Sequence, residues 1–510
     1  MHPGLVAERA PDRPAVILDT GERRTYAELD AGANRATNLF RTLGLQPGDH
    51  VAFCVDNELE VLDLFWGAHL AGLLYTVCST RLTADELAYI VDDCDAQAFV
   101  VSARLGDLAQ AIVDGTPNVR ARYTLGGAVP GHEPIEPALT AQPATPPLDR
   151  VAGNDMLYSS GTTGRPKGIE PRGGTKAIDE LMLFTGVMAQ VLGVGDGDVF
   201  LSPAPIYHAA PLRACMGVHQ LGGTVVLMRK FDAQRALQLI DEHAITHGQL
   251  VPTMFVRLLK LPDDVRASYD VSSLRGVFHA GAPCPVEIKQ RMLDWWGPII
   301  HEYYASTEGC GLTWATPQDW LAHPGTVGRA VVGVPHIVGV DGEELPAGEG
   351  GSIWFSDGPE FAYHKDPKKT AEAYDERGWA HFGDIGRLDD EGFLYLTDRK
   401  SHMIITGGVN VYPQEAENAL IEHPAVSDAA VFGIPHEEWG EEVKAVVQPM
   451  EMPADDAAAA ALEAELIAHC RSRLADLKCP RSIDFRAELP RHETGKLYKR
   501  KLVDEYRARV

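Results

Sequence analysis

Apolar residues recur along this chain with two periods. Leu29, Ala33 and Ala36 stand at i, i+4 and i+7, the spacing of one helix face. A Gly-Leu-Gln-Pro-Gly-Asp turn follows. The unbroken run Val51-Ala52-Phe53-Cys54-Val55 then reads as a buried strand. Similar short runs return at 98–102, 199–201 and 224–228. Helices alternating with apolar strands predict α/β layering around largely parallel sheets. The most apolar window, 61–78, is interrupted by Asp63 and His69. It predicts a fully buried helix leading into a strand rather than a membrane span.

The pattern weakens at 126–150, where Pro and polar residues dominate, and a surface connection is expected there. It changes again near residue 399. A helix is predicted after Pro413, carrying Ala416, Ala419 and Leu420 inward. Strands are predicted at 428–433 and at 443–447, where Val443, Ala445 and Val447 alternate. A longer helix with Leu462, Leu466, Cys470 and Leu474 at i+4 spacing follows, then a strand at 482–485. This describes a compact α+β unit of about a hundred residues, an ordinary small-domain size. The expected division is 1–398 and 399–510, with the cluster Asp398-Arg399-Lys400 as a hinge.

Composition narrows the class. The chain has 510 residues, 45% hydrophobic and 23% charged, enough for several lobes around a large core. Asp and Glu total 72 against 46 Lys and Arg, a net charge of −26, which argues against a nucleic-acid or anionic-membrane partner. Among the eight cysteines no Cys-x-x-Cys pair occurs, so buried thiols are expected rather than a zinc site or disulfide framework. The N-terminus lacks the apolar core of a signal peptide, and a cytoplasmic location is expected.

The chemistry concentrates first in Tyr158-Ser159-Ser160-Gly161-Thr162-Thr163-Gly164-Arg165-Pro166-Lys167-Gly168. Backbone amides and hydroxyls in such a loop can converge on phosphate oxygens. The hydrolase-type phosphate loop needs Lys directly after Gly and a hydroxyl beyond it, whereas Lys167 stands three residues after Gly164 and precedes Gly168. The dinucleotide fingerprint fails on glycine spacing and on Pro166. By itself the loop is as compatible with a flexible surface turn.

The stretch resembles the phosphate-loop signature of the adenylate-forming enzymes, which include acyl-CoA synthetases, peptide-synthetase adenylation domains and beetle luciferases. The resemblance runs from Pro-Asp-Arg-Pro-Ala-Val near the N-terminus to a final lysine motif. It implies a large N-terminal adenylation domain of layered α/β subdomains and a small mobile α+β C-terminal lid. Within 301–309, Glu302, Tyr303 and Tyr304 are expected at ATP. Tyr304 would stack on adenine, Thr307 would meet the α-phosphate, and Glu308, with Ser159, would hold Mg²⁺. Ala305 replaces the usual Gly of that motif. Ala280, Gly281 and Ala282 would edge the adenine, Asp384 would accept from both ribose hydroxyls, and Arg399 would be a second ribose or phosphate contact. Gly407 and Gly408 would pass the pantetheine arm of coenzyme A. Lys496, in Pro-Arg-His-Glu-Thr-Gly-Lys, would bridge the substrate carboxylate and the α-phosphate. Ser401 stands where the family's hinge commonly has Lys or Asp, which leaves the usual stabilising residue absent.

His208, in Pro205-Ile206-Tyr207-His208, is expected to gate or orient the acid, although a core histidine explains it nearly as well. The apolar neighbours Leu212, Met216, Leu250, Val251, Met254 and Phe255 favour an apolar acyl chain, and no Phe-Asp-x-Ser motif supports an amino acid. The expected activity is that of an AMP-forming acid–thiol ligase active in fatty-acid metabolism. Its expected partners are a small carboxylic acid, ATP and coenzyme A, with a second copy in a homodimer. The alternatives are an enzyme that loads a carrier protein's pantetheine and a non-catalytic nucleotide-binding protein.

Overall fold

The computed structural model describes residues 2–159, 166–171, 176–399, 403–406, 409–436, 439–491 and 497–507. A nine-stranded sheet forms the centre, in the order Arg329–Val332, Leu312–Ala315, Ile300–Ala305, Gly276–His279, His247–Leu250, Val199–Ser202, Thr224–Leu227, Pro14–Leu18 and Arg23–Thr25. Its interior is parallel from Ile300–Ala305 to Pro14–Leu18, with antiparallel pairing at both edges. A six-stranded sheet is parallel throughout and contains His50–Cys54, Leu74–Val77 and Ala96–Ser102. The predicted strands are therefore present, and the expected parallel layering holds.

Helices Tyr26–Thr42 and Val61–Leu70 join one core with strands of both sheets. The first starts where it does because Thr25 and Glu28 form a reciprocal capping box. The second is buried at every position, Asp63 and His69 included among its apolar residues. The two cross so closely that a Cβ on Gly32 would meet Asp63 at 2.0 Å, and one on Gly67 would meet Ala36 at 2.3 Å. Asp63 is compensated by Arg24 Nη2 at 2.7 Å. Trp66 donates to His219 Nδ1 at 3.1 Å, which fastens the helix to the one beneath the nine-stranded sheet. Seven of the eight thiols are buried and Cys284 is partly so, all of them free.

The 126–150 connection departs from expectation. It folds a strand, Glu133–Pro134, and a helix, Ile135–Thr140, because Ile135 finds a buried place against the core. Farther on, Tyr158–Ser159, Lys167–Pro171 and Phe361–Tyr363 form a three-stranded antiparallel sheet. A four-stranded antiparallel sheet runs Val334–Val338, Gly351–Ser356, Ala380–Leu388, Leu394–Arg399.

Beyond residue 403 the chain builds a separate five-stranded sheet around Val426–His436 and Gly440–Pro449, with Ser482–Phe485 pairing in parallel. Val443, Ala445 and Val447 are buried, as their alternation predicts, against helices Pro413–Glu422 and Asp456–Arg471. The intervening Val446 is buried as well, since Leu502 and Tyr506 of helix Lys499–Arg507 cover the other face. Leu474, expected within the long helix, lies past its observed end at Arg471. Among the described residues, no helix is long and apolar enough to cross a membrane.

Candidate functional site

The ends of the parallel strands open onto a cleft of about 2450 Å³, walled by both main sheets, the small antiparallel sheets and the C-terminal unit. Ligands of open α/β sheets bind at this end of their strands. Ser159 and Lys167 face each other as a pair in the small antiparallel sheet, and both line the cleft. The connection between them carries Ser160, Gly161, Thr162, Thr163 and Gly164, which lie outside the described residues. The described residues that flank this stretch, Tyr158–Ser159 and Lys167–Gly168, are held by antiparallel backbone pairing.

Strand Ile300–Ala305 delivers Thr307 and Glu308 to the same wall. Tyr363, on the strand paired with that of Lys167, donates its hydroxyl to Glu308 Oε1 at 2.9 Å, and Lys167 Nζ lies 4.9 Å from the Tyr363 ring centre. Burial and the neighbouring Lys369 push the Lys167 pKa below its ordinary value, against the pull of Asp366 and Glu308. Cation, phenol and carboxylate therefore form a prearranged row. Among the described residues, no cluster of three or more His, Cys, Asp or Glu could hold a metal ion. Magnesium requires no such cluster when one carboxylate shares it with phosphate oxygens and water. Glu308 has that hard-oxygen chemistry and lines the cleft.

Alternation along the strand separates the three residues expected at ATP. Tyr304 donates to Asp384 Oδ2 at 2.7 Å and packs beside Phe355 and Phe382; Tyr304 and Asp384 are both buried just behind the cleft lining, which Phe382 and Gly383 reach. Tyr303 points to the opposite face, stacked on Trp314 at 5.5 Å and packed against Phe184. Glu302 departs furthest from expectation. Its carboxylate takes a 2.7 Å bond from the buried Lys289 and lies 3.4 Å from His279. Burial alone would raise its pKa, but these two neighbours outweigh that and hold it at about 2. Glu302 is a structural anion beneath the strand, outside the cleft lining.

Ala280 and Gly281 follow strand Gly276–His279 into the cleft, where Gly281 has a φ of +87° that disfavours a side chain. Ala282 is partly exposed beside them but outside the lining. His208 caps helix Ala209–Leu221 at the cleft, its ring 4.5 Å from that of Tyr207. Of the six apolar residues expected around the acid, Val251 and Met254 line the cleft, whereas Leu212, Met216, Leu250 and Phe255 are closed into the cores. Met182, Phe184, Tyr303 and Leu312 supply apolar wall instead. Ser401, Gly407, Gly408, Lys496 and the side chain of Arg399 lie outside the described residues. The flanking Met403, Arg491 and Leu497 line the cleft from the C-terminal unit.

Sequence reasoning missed Tyr363, which carries no motif of its own. It also missed Lys289, although a signal existed: Lys289 sits with Met292, Leu293 and Trp296 on one helical stripe, where a charge requires a buried partner.

A family model of AMP-binding enzymes matches residues 5–362, and one of the AMP-binding enzyme C-terminal domain matches residues 415–496. The long-chain-fatty-acid–CoA ligase FadD13 of Mycobacterium tuberculosis is 34% identical over 499 residues, covering 96% of this chain and 95% of that one. A feruloyl-CoA synthase of an Amycolatopsis species is 33% identical over 502 residues, covering 96% of both. ATP-bound MatB from Rhodopseudomonas palustris superposes with a TM-score of 0.81 at 28% identity, covering 99% of both chains. The chain belongs to the AMP-binding, adenylate-forming enzymes, among the AMP-forming acid–thiol ligases.

Proposed function

We propose that this enzyme activates an apolar carboxylic acid with ATP and transfers the acyl group to coenzyme A. The observation that carries the reading is that one cleft is lined both by groups suited to phosphate, Ser159, Lys167, Thr307 and Glu308, and by His208 with the apolar Tyr303, Phe184 and Met254. A carboxylate attacking the α-phosphate brings two anions together, so the site must offset their repulsion and hold them in line. Thr307 would hold the α-phosphate, and the glycine-rich stretch with Lys167 would take the outer phosphates. Tyr304 and Asp384 would form the nucleoside end, Asp384 accepting from the ribose hydroxyls. His208 would orient the acid. Mg²⁺, when bound, would be held by Glu308 with Ser159 nearby and would neutralise phosphate charge. Lys496 would bridge carboxylate and α-phosphate in the first step, and Gly407 and Gly408 would admit the thiol in the second. The exchange between them would turn about the 398/399 boundary.

The test is AMP release with coenzyme A across short, medium, long, aryl and sterol-derived acids, joined to a comparison of the half-reactions. Lys496→Ala should cripple pyrophosphate exchange while sparing thioester formation from supplied acyl-adenylate. Equal loss in both would remove the two-arrangement scheme. Absence of AMP release with every acid would remove the ligase reading.

A further inference from the structure

Helix Ala209–Leu221 buries Leu212, Ala214, Cys215 and Met216 around a single cation, Arg213. That guanidinium is held by Asp155. Nη2 donates to Oδ2 at 2.7 Å, and Nε reaches the same carboxylate at 3.2 Å. Asp155 is 9% exposed at the edge of the six-stranded sheet, so the pair ties the helix to that sheet. A tie alone would leave the guanidinium covered, yet the Arg213 side chain is 32% exposed and lines the cleft with His208 and Tyr303. Among the described residues, Nη1 donates to no protein acceptor.

Position and charge together limit what this donor can meet. His208 caps the start of the same helix, and Arg213 lies five residues on, about 7.5 Å of helical rise. With His208 orienting the reacting carboxyl as proposed above, Arg213, more than one turn further along the helix, would meet the body of the acid. Asp155 already neutralises the guanidinium, and a second substrate carboxylate would have to sit next to that anion, which like-charge repulsion opposes. A neutral oxygen carries no such penalty and satisfies the remaining N–H groups.

We propose that Arg213 is a specificity-determining residue and that the preferred acids are apolar chains or rings carrying a carbonyl or hydroxyl oxygen away from the carboxyl. The inference rests on the ligase reading above and names the substrate class of that same site. Arg213 selects through its second N–H edge, while Asp155 fixes the orientation of the plane.

The experiment measures kcat/KM for AMP release with coenzyme A on matched acids. Each oxo acid, with its carbonyl stepped along the chain or placed on a ring, is paired with its methylene counterpart and with a dicarboxylic acid of equal length. At one position the oxo acid should exceed its methylene counterpart by about tenfold or more, the usual worth of a hydrogen bond to a charged donor. That ratio should fall toward one in Arg213→Met. Arg213→Lys, which keeps a cation for Asp155 but lacks the planar fork, should also lower it and serves if the Met variant does not fold. A wild-type ratio near one at every position overturns the inference, as does an unchanged ratio in both variants or a preference for the dicarboxylic acids. These outcomes all require turnover, so they differ from failure of the ligase reading, in which no acid releases AMP and the inference falls with it.

Discussion

At the scale of single residues, the site works through side chains that hold other side chains. Tyr304 would face the nucleotide, yet its hydroxyl is committed to Asp384. Tyr304→Phe leaves the ring and removes that donor. Its expected effect is a rise in the KM for ATP of about tenfold, the scale of one lost hydrogen bond, with kcat less affected. Pyrophosphate exchange at varied ATP measures it, and an unchanged KM with a lowered melting temperature would make the bond purely structural. The same scale shows what a sequence conceals. Glu308 is readable within its motif, but its partner Tyr363 stands 55 positions away and is brought near only by sheet pairing. Arg213 and Asp155 are likewise joined across 58 positions by the contact of two layers.

At the scale of elements, the strand Ile300–Ala305 is set by what lies under it. Lys289 from helix Val286–Trp296 and Glu302 from the strand form a buried pair, both closed from solvent. Lys289→Met strands an unpaired carboxylate and should cost about 3–5 kcal/mol, read as a fall in melting temperature or urea midpoint. The double change Lys289→Met with Glu302→Gln should recover part of it. Because the folded carboxyl titrates at about 2, well below the ordinary value near 4.5, its contribution is complete above that ordinary value. It is lost as pH falls from about 4.5 toward 2, so the wild type should lose stability more steeply than the double variant in that window. Elements were the most legible part of the sequence. The strands at 199–201 and 224–228 follow directly from apolar runs, because strands buried on both faces read as unbroken apolar stretches. Helix Ile135–Thr140 escaped notice because a single buried residue, Ile135, sets no period.

At the scale of the whole molecule, the C-terminal unit meets the rest beside helix Pro252–Leu259. Lys260, at the end of helix Pro252–Leu259, donates to the Val426 carbonyl, and Ile421 packs into the core beneath that helix. Burial at this seam lowers the Lys260 pKa to about 8, with Arg291 adding to the shift and Asp428 opposing it. A solvated lysine titrates near about 10.4, so the docked arrangement binds fewer protons between about 8 and 10.4. Docking should therefore strengthen as pH rises through that window. Small-angle scattering should show a more compact average at pH 10 than at pH 7.5, and Lys260→Met should flatten the difference. An unchanged profile in the variant would assign the effect to other groups.

The five-stranded sheet of this unit has apolar cover on both faces, one from Pro413–Glu422 and Asp456–Arg471, the other from Lys499–Arg507. It therefore would keep its own interior through the rotation proposed above. Substitutions inside that sheet should register as lost folding, whereas substitutions along its seam should register as altered timing between the two half-reactions. Selection on how long each arrangement persists can act on the seam without touching the solvent-free core of either unit.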